Sequence, residues 1–192
     1  MTAPAAAGPG GPEPPGAVSV REAAAAEHQA VRGVLAAAYR QFDAVLPPAA
    51  FERYLADLLD LGARSDASRL LVAEQAGRIV GTVTFFEDAR DEGAFGWPAG
   101  WSGLRALGVD PSARGRGIGR LLMEACRDRA RAAGATVLCL HTAAFMTAAV
   151  VLYEAMGFRR VPSFDFDAAR FLDLDMDGER PIPVIAYRLD LS

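Results

Sequence analysis

Residues 107–122 read Leu-Gly-Val-Asp-Pro-Ser-Ala-Arg-Gly-Arg-Gly-Ile-Gly-Arg-Leu-Leu, and the fold turns on how that stretch is read. It puts the end of an apolar strand, a proline-marked turn, three glycines and the start of a helix in immediate succession. Glycines at 115, 117 and 119 permit backbone angles closed to other residues and let a ligand come close to the main chain. The free amides and the positive dipole end of the helix favour an anion, and Arg114, Arg116 and Arg120 add charge. The turn therefore suits a pyrophosphate. It is not a Walker turn, which needs Lys and then Ser or Thr after its last glycine, where this chain has Arg120 and Leu121. Nor is it a dinucleotide fingerprint, because Arg120 stands where that motif needs a small residue. Taken alone, the stretch is still compatible with an ordinary strand-to-helix connection.

On its N-terminal side, Val18–Arg21 alternates like a short strand, and Glu22–Phe42 carries Val31, Leu35, Ala38 and Tyr39 at helical spacing. Pro47 and Pro48 break the chain and start a second helical period over Ala49–Leu61. Arg69–Glu74 and Arg78–Phe86 are strand-like runs joined by Gln75-Ala76-Gly77, the chemistry of a tight hairpin. Residues 88–100 read as a long loop able to cover a site, and Trp101–Val109 as a strand. After the turn, Ile118, Leu121, Leu122, Ala125 and Cys126 form one apolar helical face that ends at Gly134. A strand over Thr136–His141, a helix over Phe145–Met156 closed by Gly157, and strands at Phe158–Val161 and Ile182–Leu189 complete the order. That order is a mixed α/β layer fold in one domain over residues 17–192.

A net charge of −4 argues against a nucleic-acid partner, which calls for a basic face. All 20 basic residues are arginine. Residues 1–16 have neither the basic start nor the apolar run of a signal peptide or membrane anchor, and read as a disordered tail. Cys126 and Cys139 fall among apolar neighbours, so two buried thiols in a reducing, cytoplasmic compartment are expected rather than a disulfide or a metal site.

A second motif lies downstream: Leu152, Tyr153, Glu154, then Gly157 and Phe158. Together with Val109, Pro111, Arg114, Gly117 and Gly119, this resembles the GNAT acetyltransferases, with the two signatures at the family's spacing. The resemblance implies a central, mostly antiparallel twisted sheet of about seven strands, splayed between strands four and five and flanked by about four helices. It implies acetyl-CoA as co-substrate, a primary amine as acceptor, direct attack in a ternary complex, and no metal. The backbone of Leu107, Gly108 and Val109 would hold the pantetheine arm, and residues 114–120, including Gly115, Arg116 and Ile118, the pyrophosphate. Tyr153 resembles the family's acid, and His141 aligns with the place where some members carry a base. A strand-end histidine bonded to backbone is an equal alternative.

The chain departs from the family at Met146, where many members carry asparagine, and at Trp101, Ser102 and Gly103, where some carry a glutamate base. Those departures keep open a catalytically inactive CoA-binding module. Many members dimerise, so a homodimer is compatible with the resemblance. Asp173, Asp175, Asp177 and Gly178 begin like a calcium loop, but Val184 stands where its bidentate glutamate belongs, leaving a solvated acidic loop that could attract a cationic acceptor. Tyr39, Phe42, Tyr54, Phe86 and Trp97 could line an acceptor pocket, although aromatics at such spacing are more often core. His28, among polar neighbours, reads as solvated.

Overall fold

The structure is a computed structural model that describes residues 16–62, 68–93, 95–168 and 181–191. The tail at 1–15 and Asp173, Asp175 and Asp177 lie outside the described residues. Gly16, expected in the tail, has its carbonyl bonded by Gln75 Nε2 at 2.9 Å.

The chain runs β1 (Ser19–Glu22), α1 (His28–Tyr39), α2 (Pro48–Leu59), β2 (Ser68–Gln75), β3 (Arg78–Phe86), β4 (Trp101–Val109) and α3 (Ile118–Ala132). It continues through β5 (Val137–Ala143), α4 (Thr147–Ala155), β6 (Arg159–Arg160), β7 (Phe166–Asp167) and β8 (Pro183–Asp190). The strands form one sheet in the order β1-β2-β3-β4-β5-β8-β6, with β7 also on β8. All pairings are antiparallel except β4 with β5. The strand beyond the expected seven is β7, whose two residues are too few to show a period. α1 begins at His28 rather than near Glu22. Ahead of it, the Glu27 carboxylate accepts the Ala24 N–H at 2.7 Å and pairs with Arg21, fixing a short 3-10 turn before the helix starts.

Two apolar layers sandwich the sheet. Leu122, Met123 and Cys126 of α3 and Tyr153 of α4 pack against Leu71, Val83, Phe85, Leu104, Leu138 and Leu140 on one face. Val31, Leu35 and Ala38 of α1 and Leu58 of α2 pack with Val72 and Ala106 on the other. Both cysteines are free and buried. Gly81 is where strand and helix meet most closely: a Cβ there would lie 2.8 Å from Ile118 Cγ2 and 3.1 Å from Leu122 Cδ1. The first turn of α3 therefore rests on bare backbone.

Two irregularities of β4 shape the site. Thr82 pairs with Gly108 but Thr84 with Arg105, so β4 carries one extra residue, and Ala106 takes a left-handed φ of 55° within that bulge. On its other edge β4 pairs with β5 only over Trp101–Leu104 against Val137–Leu140. Beyond that seam residues 105–109 leave β5, while His141, Thr142 and Ala143 pair with β8 alone. This is the splay between strands four and five.

Candidate active site

The splay opens into a cavity of about 630 Å³ lined by α1, α2, β4, the glycine turn, β5 and the start of α4. β4 forms one wall. The Asp110 N–H donates to the Val80 carbonyl of β3 at 2.9 Å, so the alternation of the ladder turns the amides of Val109 and Leu107 toward the open side. The Leu107 carbonyl accepts the Tyr39 hydroxyl at 3.1 Å. At Gly108 a Cβ would lie 3.2 Å from Leu35 Cδ2 and 3.3 Å from Ala38 Cβ, so this glycine lets α1 close over the strand.

In the turn, Gly115 and Gly117 have φ of 75° and 78°, and nothing lies within 4 Å of where a Cβ would stand. Backbone angle, not crowding, selects glycine there, and the space beside it is open to a ligand. Gly117 is the N-cap of α3 and makes no side-chain cap, leaving the first helical amides available. Gly119 serves packing instead, since its missing side chain admits Leu152 of α4, 3.2 Å from a Cβ position. Of the three arginines expected to add charge, only Arg114 lines the cavity. Its guanidinium donates to the Ala38 carbonyl at 2.9 Å and to Gln41 Oε1 at 3.2 Å, tying the turn to the end of α1. Arg116 and Arg120 are exposed on the outer side.

Tyr153 is buried on α4 and lines the same cavity. Burial pushes its phenol well above the usual tyrosine range, so it stays protonated at any working pH. The rest of the second motif is scaffolding. The Phe158 N–H donates to the Tyr153 carbonyl at 3.0 Å, Gly157 takes φ 88° to close the helix, and Glu154 accepts the Tyr187 hydroxyl at 2.9 Å. Met146, also a lining residue, is buried at the N-cap of α4. Its sulfur accepts the Thr142 hydroxyl at 3.7 Å.

His141 stands where β5 leaves the seam. Its Nε2 lies 3.0 Å from the Phe164 carbonyl and must carry the proton, while Nδ1 is buried without a partner. The ring is boxed by Trp97 at 4.4 Å and by Phe95 and Phe166 at 4.9 Å, centroid to centroid. Burial pushes its pKa down to about 4, which keeps the imidazole neutral. The ring thus has the backbone-bonded setting that the sequence offered as the alternative to a base.

Two carboxylates line the cavity: Asp57, which pairs with Arg105, and Glu92, which the sequence did not single out. Glu92 ends a short 3-10 turn, Ala89–Glu92, inside the 88–100 loop, and its Oε2 accepts the Trp97 indole N–H at 3.2 Å. A Cβ on Gly103 would lie 3.2 Å from Ala89 Cβ and 3.3 Å from Glu92 Oε2. The loop thus sits directly on Gly103, and Glu92 fills the space that a β4 side chain would take. Burial raises its pKa to about 7, against the opposing effects of Arg105 and the Trp97 hydrogen bond. The neighbouring acids are used otherwise: Asp88 caps the 3-10 turn through the Arg90 N–H, and Asp91 is exposed.

Of the five aromatics expected at an acceptor pocket, Tyr39, Phe42 and Tyr54 line the cavity. Phe86 and Trp97 do not, and Phe95, Phe145 and Phe166 take part instead. His28 opens α1 away from the cavity.

A family model described as "Acetyltransferase (GNAT) family" matches residues 31–158. The chain is 38% identical over 117 residues to the IAA acetyltransferase of Azospirillum brasilense, covering 56% of this chain and 71% of that protein. It is 40% identical over 95 residues to the mycothiol acetyltransferase of Thermobispora bispora, covering 50% of this chain but 31% of that longer protein. In structure it resembles the Salmonella typhimurium acetyltransferase yncA, solved with its cofactor acetyl-CoA. That match has a TM-score of 0.60 at 18% identity, over 91% of this chain and 94% of that one.

Proposed function

This chain belongs to the GNAT acetyltransferase family, and from that premise we propose that it transfers an acetyl group from acetyl-CoA to a primary amine by direct attack in a ternary complex. The observation that carries the reading is the convergence on one cavity of an open β4 edge, an uncapped helix N-terminus behind two left-handed glycines, and a buried, protonated tyrosine.

Acetyl-CoA fits those residues and supplies the acetyl group as an activated thioester. The amides of Leu107 and Val109 hold the pantetheine arm, and one of them supports the thioester oxygen as negative charge grows. The amides from Gly115 to Arg120 hold the pyrophosphate, with Ile118 anchoring the turn in the core and the flanking Arg116 and Arg120 adding outer charge. Arg114 positions the turn rather than neutralising the ligand. Tyr153 gives its proton to the departing sulfur. His141 is a neutral ring of the acceptor wall. Two buried free thiols support a reducing, cytoplasmic setting.

Calorimetric titration of the purified chain with acetyl-CoA, coupled to thiol release with a panel of amines, tests the proposal. Binding with amine-dependent release is the expected result. Binding without release favours a module that holds CoA without chemistry, and absence of binding overturns the assignment of the glycine turn.

A further inference from the structure

Four charged side chains are found among the described residues lining the cavity: Asp57, Glu92, Arg105 and Arg114. Arg105 and Asp57 pair with each other, and Arg114 is bound to the end of α1. Glu92 differs from these, since its hydrogen-bond partner is a neutral donor, the Trp97 indole. The same cavity is lined by Phe95, Phe166 and the neutral ring of His141, which pack on one another, and by the contacting pair Phe42 and Phe145.

We infer that the acceptor is an arylalkylamine, a single primary ammonium on an aromatic body, and that Glu92 receives this ammonium and takes its proton. The inference rests on the acetyl-transfer reading and adds the substrate class and the proton acceptor.

The chemistry of the walls selects the class. A polyamine or aminoglycoside would bring several charges to a chamber with one carboxylate free to meet them, and each unmatched ammonium would lose its hydration uncompensated. An amino acid or peptide end would bury amide and carboxyl groups against phenyl rings that offer no hydrogen bond. An aryl group instead gains apolar burial and edge or stacked contacts, and the ammonium beside it gains the aromatic faces as well as the carboxylate.

The carboxylate lines the same cavity as the thioester side. It lies over Gly103 at the seam end of β4, the strand whose continuation, Leu107 to Val109, forms the thioester side of the cavity. The titratable or charged groups that bear on it are Arg105 of β4 and the buried thiol of Cys139 on β5. Neither competes as a base, since one is a guanidinium and burial pushes the other far above its usual range. The ammonium passes one proton to Glu92, and the freed lone pair forms the C–N bond to the acetyl carbon. The C–S bond breaks with its electron pair on sulfur, which takes a proton from Tyr153. The nitrogen's second proton makes good the one Tyr153 gave. The products are the amide, the thiol and one proton released from Glu92 to water.

The test uses the full chain with saturating acetyl-CoA and four amines: 2-phenylethylamine, tryptamine, spermidine and alaninamide. Thiol release should favour the two arylalkylamines by about tenfold or more in kcat/KM. E92Q should lower kcat/KM for 2-phenylethylamine about a hundredfold and abolish the acid limb of its pH profile, with calorimetric affinity for acetyl-CoA unchanged. E92D, which keeps the charge but withdraws it by one methylene, should also lose rate at unchanged acetyl-CoA affinity, which guards against a folding defect peculiar to E92Q. Preference for spermidine or alaninamide, no release with any of the four despite acetyl-CoA binding, or wild-type rate and pH profile in E92Q and E92D would overturn the inference. Failure to bind acetyl-CoA would instead overturn the reading on which it rests.

Discussion

The close approach at Gly81 makes the glycine turn testable without knowing the acceptor. Gly81→Ala would place a methyl 2.8 Å from Ile118 Cγ2 and 3.1 Å from Leu122 Cδ1. Carbon atoms pack at about 3.5–4.0 Å, so Ile118 must retreat by roughly 0.7 Å or more. Overpacking of this kind costs about 1–3 kcal/mol. At about 2–4 °C per kcal/mol for a chain of this size, the Tm should fall by about 2–12 °C. Ile118 is the first residue of α3, so its retreat carries the helix's leading amides away from the turn. A loss of about 1.4 kcal/mol there would weaken acetyl-CoA about tenfold. Gly77→Ala is the control: its φ is 73° and a Cβ there meets nothing within 4 Å, so it should cost about 1–2 kcal/mol of backbone strain and leave affinity alone. Scanning calorimetry and acetyl-CoA titration read both quantities. A Gly81→Ala protein with unchanged Tm and affinity, or equal loss of affinity in Gly77→Ala, would refute the reasoning.

Tyr153→Phe should lower kcat about a hundredfold or more while acetyl-CoA affinity, measured by calorimetry, stays within about twofold of wild type. The pH dependence of stability should contain two opposed contributions. Glu92, raised from 4.5 to about 7, holds its proton more tightly when folded and so makes stability fall as pH rises between those values. His141, lowered from 6.5 to about 4, is neutral when folded and charged when unfolded between those values, so it makes stability rise with pH there. Denaturant titrations at pH 5, 6 and 7 should therefore show E92Q gaining on wild type as pH rises, by up to ~3 kcal/mol, and H141Q losing ground over pH 5 to 6.5. Parallel curves for all three proteins would contradict both assignments. An aromatic disulfide reagent should find no reactive thiol in the native chain and two after denaturation, because burial pushes Cys126 up to about 12 and Cys139 higher still. Fast native labelling would show that these thiols are not buried.

Elements set by period and punctuation were legible in the sequence. Pro48 begins α2, Gly77 turns the hairpin, Gly117 heads α3 and Gly157 ends α4, each at the position where its backbone preference acts. The position of the glycine turn at the head of α3 and of Tyr153 on α4 was legible because local motifs carry them. Glu92 was not: Asp88, Asp91 and Glu92 stand together in one loop, and only the packing of Ala89 on Gly103 decides which acid turns inward. The absence of a side chain at Gly103 was the available clue, and it read as a missing base rather than as room for one. The bulge at Ala106 was hidden for a related reason, since alanine gives no warning of a left-handed φ. The environment of His141 depends on rings from two distant segments, Phe95 with Trp97 and Phe166, which no local spacing reports.

Four residue pairs join β4 to β5, and through them the β1–β4 half of the sheet to the β5–β8 half. So short a ladder is a fault line, the place where subglobal opening should begin and where amide exchange should be fastest within the sheet. A molecule laid along the open edge of β4 would act as a splint across that fault. Its binding should then slow exchange in β5 and β8, strands well beyond its own contacts on β4, and turn two half-sheets into one cooperative unit.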